Sequence, residues 1–179
     1  MDADFDNDAQ ADDDVLAGRS EDVTMKPSGY KKILWETFGD LTDDQLMALV
    51  IYGESRGESR EGQIAVGTVI MERVDHREWD GTTIKGVCLL PYQFSCLLPA
   101  DPNFKQLALI ASDFDVALMK SESLSNCYGI ARGLLAGTIE RNQLLAEHHC
   151  VQYKAVGCPA AWADKMRLLT IIGSHEFYI

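Results

Sequence analysis

No apolar run among the 179 residues reaches the roughly 20 needed to cross a bilayer, so no membrane insertion is expected. The N-terminus has no basic region followed by an apolar one, so no secretory signal is visible and cytoplasmic synthesis is expected. Basic residues are scarce: 16 Lys and Arg face 28 Asp and Glu, a net charge of −12. That leaves no basic face for nucleic acid. Cysteines number five, and an odd count without a signal favours thiols over a disulfide scaffold. Cys88 with Cys96 is the pair that an oxidising compartment would test. No internal repeat is visible, and the length suits one domain with a real core.

The acidic charge is uneven. Residues 1–22 carry nine acids against Arg19 alone, so −8 of the −12 sits there. Residues 1–28 lack periodicity and end near Pro27-Ser28-Gly29, which predicts a solvated acidic tail, with a protein partner as its alternative use. Residues 29–179 are then the folded domain, only mildly acidic.

Within that domain a short helix is expected over 30–38. Thr42 can cap a helix running to about Ser55, with Gln45 closing the capping box and Asp43 and Asp44 suiting the dipole. Ser59 can cap a second, buried helix over 60–74, where Gly62 and Gly67 would admit a close neighbour. Residues 75–83 read as a polar loop, 84–90 as helix or strand, and 91–95 as a loop. Residues 103–120 read as one helix, and Asn126 can cap another that ends at Gly137. Short strands are expected within 140–157, a last helix over 160–169, and a β-prone tail over 170–179.

The stretch 46–74 is the centre of this pattern. Leu46, Leu49, Val50 and Gly53 share one helical face, and Glu54 ends that apolar stripe. Gly57 can take a left-handed cap conformation, so the helix should stop beside Glu54. Partial burial and the negative end of the dipole both disfavour a carboxylate, the condition under which a carboxyl serves as a general acid. The alternative is a solvated end-of-helix glutamate paired with Arg56.

The run Tyr52-Gly53-Glu54-x-Arg56-Gly57-Glu58 is followed in order by Glu61-Gly62-Gln63-x-Ala65-Val66 and Arg73-Val74. Then come Gln93-Phe94-Ser95, Trp162 and Ile172-Gly173-x-His175-x-Phe177-Tyr178. This ordered set resembles the spore cortex-lytic (SleB-type) cell wall hydrolase family over residues 41–179. The resemblance implies a mainly α single domain with a small β element, similar to lysozymes and lytic transglycosylases. It implies cleavage of peptidoglycan glycan strands at the MurNAc–GlcNAc β-1,4 bond, with Glu54 matching the catalytic glutamate and no cofactor. Where most of the family has Asn before Arg-Val, this chain has Glu72. Holin release or delivery by a virion would fit a phage endolysin-like member.

A lytic transglycosylase needs one carboxylate; a hydrolytic muramidase needs a second, for which Glu58 is the candidate. Tyr52, Gln93, Ser95, His148 and Tyr153 are the substrate-binding candidates, since glycans bind through aromatic faces and polar side chains. His148, His149, Cys150 and Cys158 admit a zinc site or a metal-dependent amidase. Their spacing matches no recognised structural pattern, so the expectation is no metal. Cys96 as a thiol nucleophile lacks an identifiable His partner. A non-catalytic wall-binding or virion protein is the remaining class.

Overall fold

The computed structural model describes residues 27–76 and 81–179. Residues 1–26 of the expected acidic tail lie outside it, as do positions 77–80 of the expected polar loop. Among the described residues the chain is mainly helical, and no helix is long and apolar enough to cross a membrane.

The first helix, α1 (Pro27–Phe38), starts earlier than the expected 30–38 and takes in Pro27 and Ser28. Proline suits a helix start, where its missing N–H costs nothing. Helix α2 (Asp43–Ser55) begins as expected: Gln45 Oε1 accepts from the Thr42 N–H at 3.0 Å. The Thr42 hydroxyl donates to Asp44. All seven residues 46–52 are buried, so α2 is covered on every side and runs through the middle of the domain. Helix α3 (Arg60–Asp75) starts at Ser59, whose hydroxyl accepts from the Gly62 N–H at 3.3 Å.

The link between them differs from expectation. Gly57 is not left-handed; among the described residues the glycines with positive φ are Gly137, Gly157 and Gly173. Arg56 stays right-handed, and the Glu58 N–H donates to Ser55 O at 2.9 Å, so a right-handed turn ends α2.

Residues 84–90 resolve as helix α4 (Ile84–Cys88), and a 3-10 turn follows at Ser95–Leu97. The single helix expected over 103–120 is two, α5 (Phe104–Ser112) and α6 (Phe114–Lys120). Asp113 breaks it: its backbone leaves the helical region (φ −151) and its carboxylate accepts from the Val116 N–H at 3.4 Å. Asn126 lies inside α7 (Glu122–Leu135), which Ser121 caps instead through the Leu124 N–H at 3.2 Å. Helix α7 ends one residue before Ala136, and Gly137 follows with φ +69. A β-carbon on Gly67 would stand 2.5 Å from Leu134 Cδ1, which is how closely α7 crosses α3.

Helix α8 (Gln143–Glu147) precedes strand β1 (Gln152–Ala155). The helix expected over 160–169 is absent. A 3-10 turn at Ala163–Lys165 leads into β2 (Leu168–Ile172), and β3 (His175–Tyr178) closes the chain. The sheet is antiparallel in the order β1-β3-β2, with Tyr153 opposite Phe177 and Ile172 opposite His175. Strand pairing outweighs the helical leaning of 166–169: Arg167 and Ile179 exchange backbone hydrogen bonds at 2.9 and 3.0 Å. Phe177 packs with Ala65, Val69, Leu145 and Cys150, which seats the sheet on α3. The larger core surrounds α2. All five cysteines are free thiols, Cys88 and Cys96 among them.

The β2–β3 turn is built around Gly173, at φ +57. A β-carbon there would lie 1.8 Å from Glu58 Oε2. Gly173→Ala should therefore cost about 1–2 kcal/mol from the left-handed backbone alone, and more as Glu58 is displaced. Urea unfolding would read this as a lower midpoint; an unchanged midpoint would refute the turn geometry.

Candidate active site

Glu54 lies in the last turn of α2, half-buried, as the periodicity predicts. Its two oxygens are held from two distant segments. Oε1 accepts from the Cys96 backbone N–H at 3.0 Å and from the Ser95 hydroxyl at 3.4 Å. Oε2 accepts from the Tyr153 hydroxyl at 3.2 Å. The first two donors come from the 3-10 turn and the third from the middle of β1.

Gly53 permits this approach. A β-carbon on it would meet Cys96 Sγ at 2.7 Å and Leu107 Cδ1 at 2.9 Å, so any larger residue would push the 3-10 turn off the helix end. Burial, and then the facing Glu54 carboxylate, hold the Tyr153 phenol well above its ordinary range. Tyr153 therefore stays protonated and serves as a donor. Its ring stacks on Phe177 with centroids 5.7 Å apart and meets His175 edge-on at 5.3 Å. His175 is buried, and its Nδ1 has no hydrogen-bond partner among the described residues.

Arg73 binds the two donor segments to each other. It is only 3% exposed. Its Nε donates to Val151 O at 2.8 Å and its Nη1 to Gln93 O at 3.4 Å, while the guanidinium lies 5.0 Å from the Phe94 ring centre. Burial works against its charge; Tyr153, Cys88 and Glu54 favour it. One side chain of α3 thus fixes both the loop that carries Ser95 and the approach to β1. In the sequence Arg73 stood out only as part of a matching motif. A cation at helical spacing from the buried Val66, Val69 and Ile70 was the signal that could have found its role.

The other sequence candidates fall elsewhere. Tyr52, expected on the polar side of α2, is buried; its hydroxyl accepts from Gln106 Nε2 at 3.3 Å and Arg56 lies over its ring at 5.3 Å. Gln93 is half-buried and meets the site through its backbone carbonyl. His148 is exposed. Among the described residues, no bond runs from any of these three side chains to Glu54. Glu58 is turned away into the β2–β3 turn, where it accepts from the Ser174 hydroxyl and from the Ser174 N–H at 3.1 Å. The Ser174 hydroxyl, above all, holds the Glu58 carboxyl below its usual value. Arg56 pairs with Asn103 Oδ1 at 2.8 Å rather than with Glu54. Cys96 is buried, and burial followed by the Glu54 charge raises its thiol well above the ordinary range, the opposite of an activated nucleophile.

One half-buried carboxylate at a helix end, oriented by neutral donors, is equipped for proton transfer to and from a bound oxygen. The chain is similar to known proteins in both sequence and fold. Two curated relatives are spore cortex-lytic enzymes. That of Bacillus cereus is 39% identical over 74 residues, 41% of this chain and 25% of that protein. That of Oceanobacillus iheyensis is 36% identical over 83 residues, 44% of this chain and 26% of that protein. The match thus spans about a quarter of these relatives' length. Among solved structures, the catalytic domain of the Bacillus cereus SleB protein aligns with a TM-score of 0.51 at 25% identity, over 76% of this chain and 89% of that one. The catalytic domain of a germination-specific lytic transglycosylase, SleB from Bacillus anthracis, gives 0.52 at 25% identity, over 76% and 93%. These neighbours bear out the mainly helical, lytic transglycosylase-like fold implied by the resemblance. The family model described as Cell Wall Hydrolase matches residues 57–178, beginning just past Glu54 and taking in Arg73, Ser95, Tyr153 and His175. With about two thirds of its length so matched, the chain belongs to the cell wall hydrolase family.

Proposed function

We propose that the chain cleaves the glycan strand of peptidoglycan at the MurNAc–GlcNAc β-1,4 bond, as a lytic transglycosylase with Glu54 as acid and then base. The observation that carries this is the single half-buried carboxylate held by Cys96, Ser95 and Tyr153. Two donors on Oε1 and one, Tyr153, on Oε2 leave Oε2 the less engaged oxygen and the one for the transferable proton. Glu54 gives that proton to the glycosidic oxygen as the bond to the muramic acid C1 breaks. The resulting carboxylate takes the proton of the C6 hydroxyl as O6 bonds to C1. The product is a 1,6-anhydro ring, and no water is consumed. The name of the Bacillus anthracis neighbour, a lytic transglycosylase, supports this route. So does the engagement of Glu58 with Ser174, since a hydrolytic muramidase requires a second carboxylate at the bond. Of the sugar-contact candidates, Ser95 and Tyr153 border the carboxylate, and Gln93 and His148 retain surface for hydroxyl groups. Tyr52 acts as support beneath Arg56.

Mass spectrometry of purified peptidoglycan digested with the wild type and with Glu54→Gln tests this. Anhydro-muropeptides from the wild type alone are the expected result. Reducing-end muropeptides would replace the transglycosylase with a muramidase. Free stem peptides, or equal digestion by the variant, would overturn the glycosidase reading. Tyr153→Phe removes one hydrogen bond to the carboxylate and keeps the ring packing. It should lower kcat roughly tenfold to a hundredfold, the worth of one bond to a charged group. A rate within twofold of wild type would remove Tyr153 from the mechanism.

A further inference from the structure

The last turn of α3 carries Glu72, and His76 follows four residues later on the same face. The turn between α8 and β1 brings His149 against them. Glu72 Oε2 lies 3.3 Å from His149 Nδ1 and 4.0 Å from His76 Nε2. One ligand atom from each residue lies within 4.8 Å of the other two. Around a tetrahedral zinc ion, bonds of about 2.0–2.2 Å to nitrogen and oxygen separate the ligands by roughly 3.3–3.6 Å. The three groups need only small rotations to reach that spacing.

The surroundings suit a cation. Glu72 is 3% exposed, and its other oxygen accepts from Arg141 Nη1 at 2.7 Å. That bond orients Oε2 toward the imidazoles, the outer-shell role that shapes metal sites. Asp75 holds the same nitrogen of Arg141 at 2.6 Å, so two carboxylates against one guanidinium leave a net negative charge. The C-terminal end of α3 adds to it. His149 itself has φ +50, a conformation that a non-glycine residue adopts only at a cost. Imidazole with carboxylate selects zinc-type transition ions over calcium or magnesium.

We propose that Glu72, His76 and His149 form a site for one divalent transition ion of the zinc class, with water completing the coordination. This departs from the expectation of no metal, and the ligand set also differs from the one weighed in the sequence. The Cys150 thiol is buried against the carbonyls of Gln152 and Tyr178, and Cys158 and His148 lie outside the cluster. The ion pins the segment entering β1 to α3; four residues beyond His149, Tyr153 reaches Glu54. The site is thus a brace for the catalytic strand.

The test is calorimetric titration of untagged, chelator-stripped protein with zinc chloride. The wild type should take up one ion per chain. His76→Ala and His149→Ala, both at accessible side chains, should each weaken binding at least about tenfold, and His148→Ala should bind as wild type does. Cobalt(II) loaded into the wild type should give visible d–d bands without thiolate charge transfer. No saturable uptake, unchanged affinity in both variants, or a thiolate band would overturn the proposal. None of these readouts depends on glycan cleavage.

Discussion

Glu54→Gln should abolish glycan cleavage, lowering the rate by at least about a thousandfold, within the usual worth of a positioned general acid and base. The substitution conserves volume, so loss of packing does not explain the effect. What it removes is the transferable proton and the acceptor for the C6 hydroxyl. It also disturbs the local bonds. Cys96 N–H, the Ser95 hydroxyl and the Tyr153 hydroxyl all donate to this group, so an amide nitrogen would face at least one of them. That mismatch lies at a half-exposed position, where water relieves it, and should cost less than about 1 kcal/mol of stability. The measurement pairs release of soluble muropeptides with urea unfolding of the same preparations. Activity within tenfold of wild type in a folded variant would remove Glu54 from the chemistry.

Glu54 was legible because its signal is local. An apolar stripe at helical spacing ends on an ionisable residue, and the cap at Ser59 fixes where the next helix begins. The partners of Glu54 were only half legible. Ser95 is 41 residues away and Tyr153 is 99, and no periodicity links such positions. The family-like motif supplied them as candidates without saying that they bind the carboxylate itself. Tyr52 shows the reverse error. The sequence gives α2 a polar side from helical spacing, yet the packing of α5 and α7 covers that side as well. The start of the strand at 168–172 was missed for a related reason. Thr170, Ile171 and Ile172 fall in the expected β-prone tail, but Leu168 and Leu169 favour helix locally, and the pairing with β3 that overrides this is formed by residues further along the chain. Glu58 was the sequence candidate for a second carboxylate; its hydrogen bonds to the Ser174 backbone and hydroxyl, 116 residues away, are contacts that no spacing could show.

Arg73→Leu should be the most destabilising single change near the site, at about 3 kcal/mol, or roughly 6–12 °C in Tm. Leucine fills part of the volume over Phe94 but supplies no donor. The carbonyls of Val151 and Gln93, partly buried against the almost fully buried Arg73, then lose the guanidinium, and a buried acceptor left unpaired costs about 1–3 kcal/mol. Arg73→Lys separates two roles. It restores a charge and one donor, but an ammonium cannot serve two carbonyls on different segments as the guanidinium fork does. Its stability should recover by about half. Its cleavage rate, measured where it is fully folded, should stay well below that of wild type, because the Ser95 loop and the approach to β1 are no longer tied to each other. Urea unfolding of both variants and their rates at a temperature below either transition decide this. Equal midpoints for Arg73→Leu and wild type would show that the two carbonyls find other partners. A fully active Arg73→Lys would show that the charge alone, and not the fork, holds the two halves of the site together.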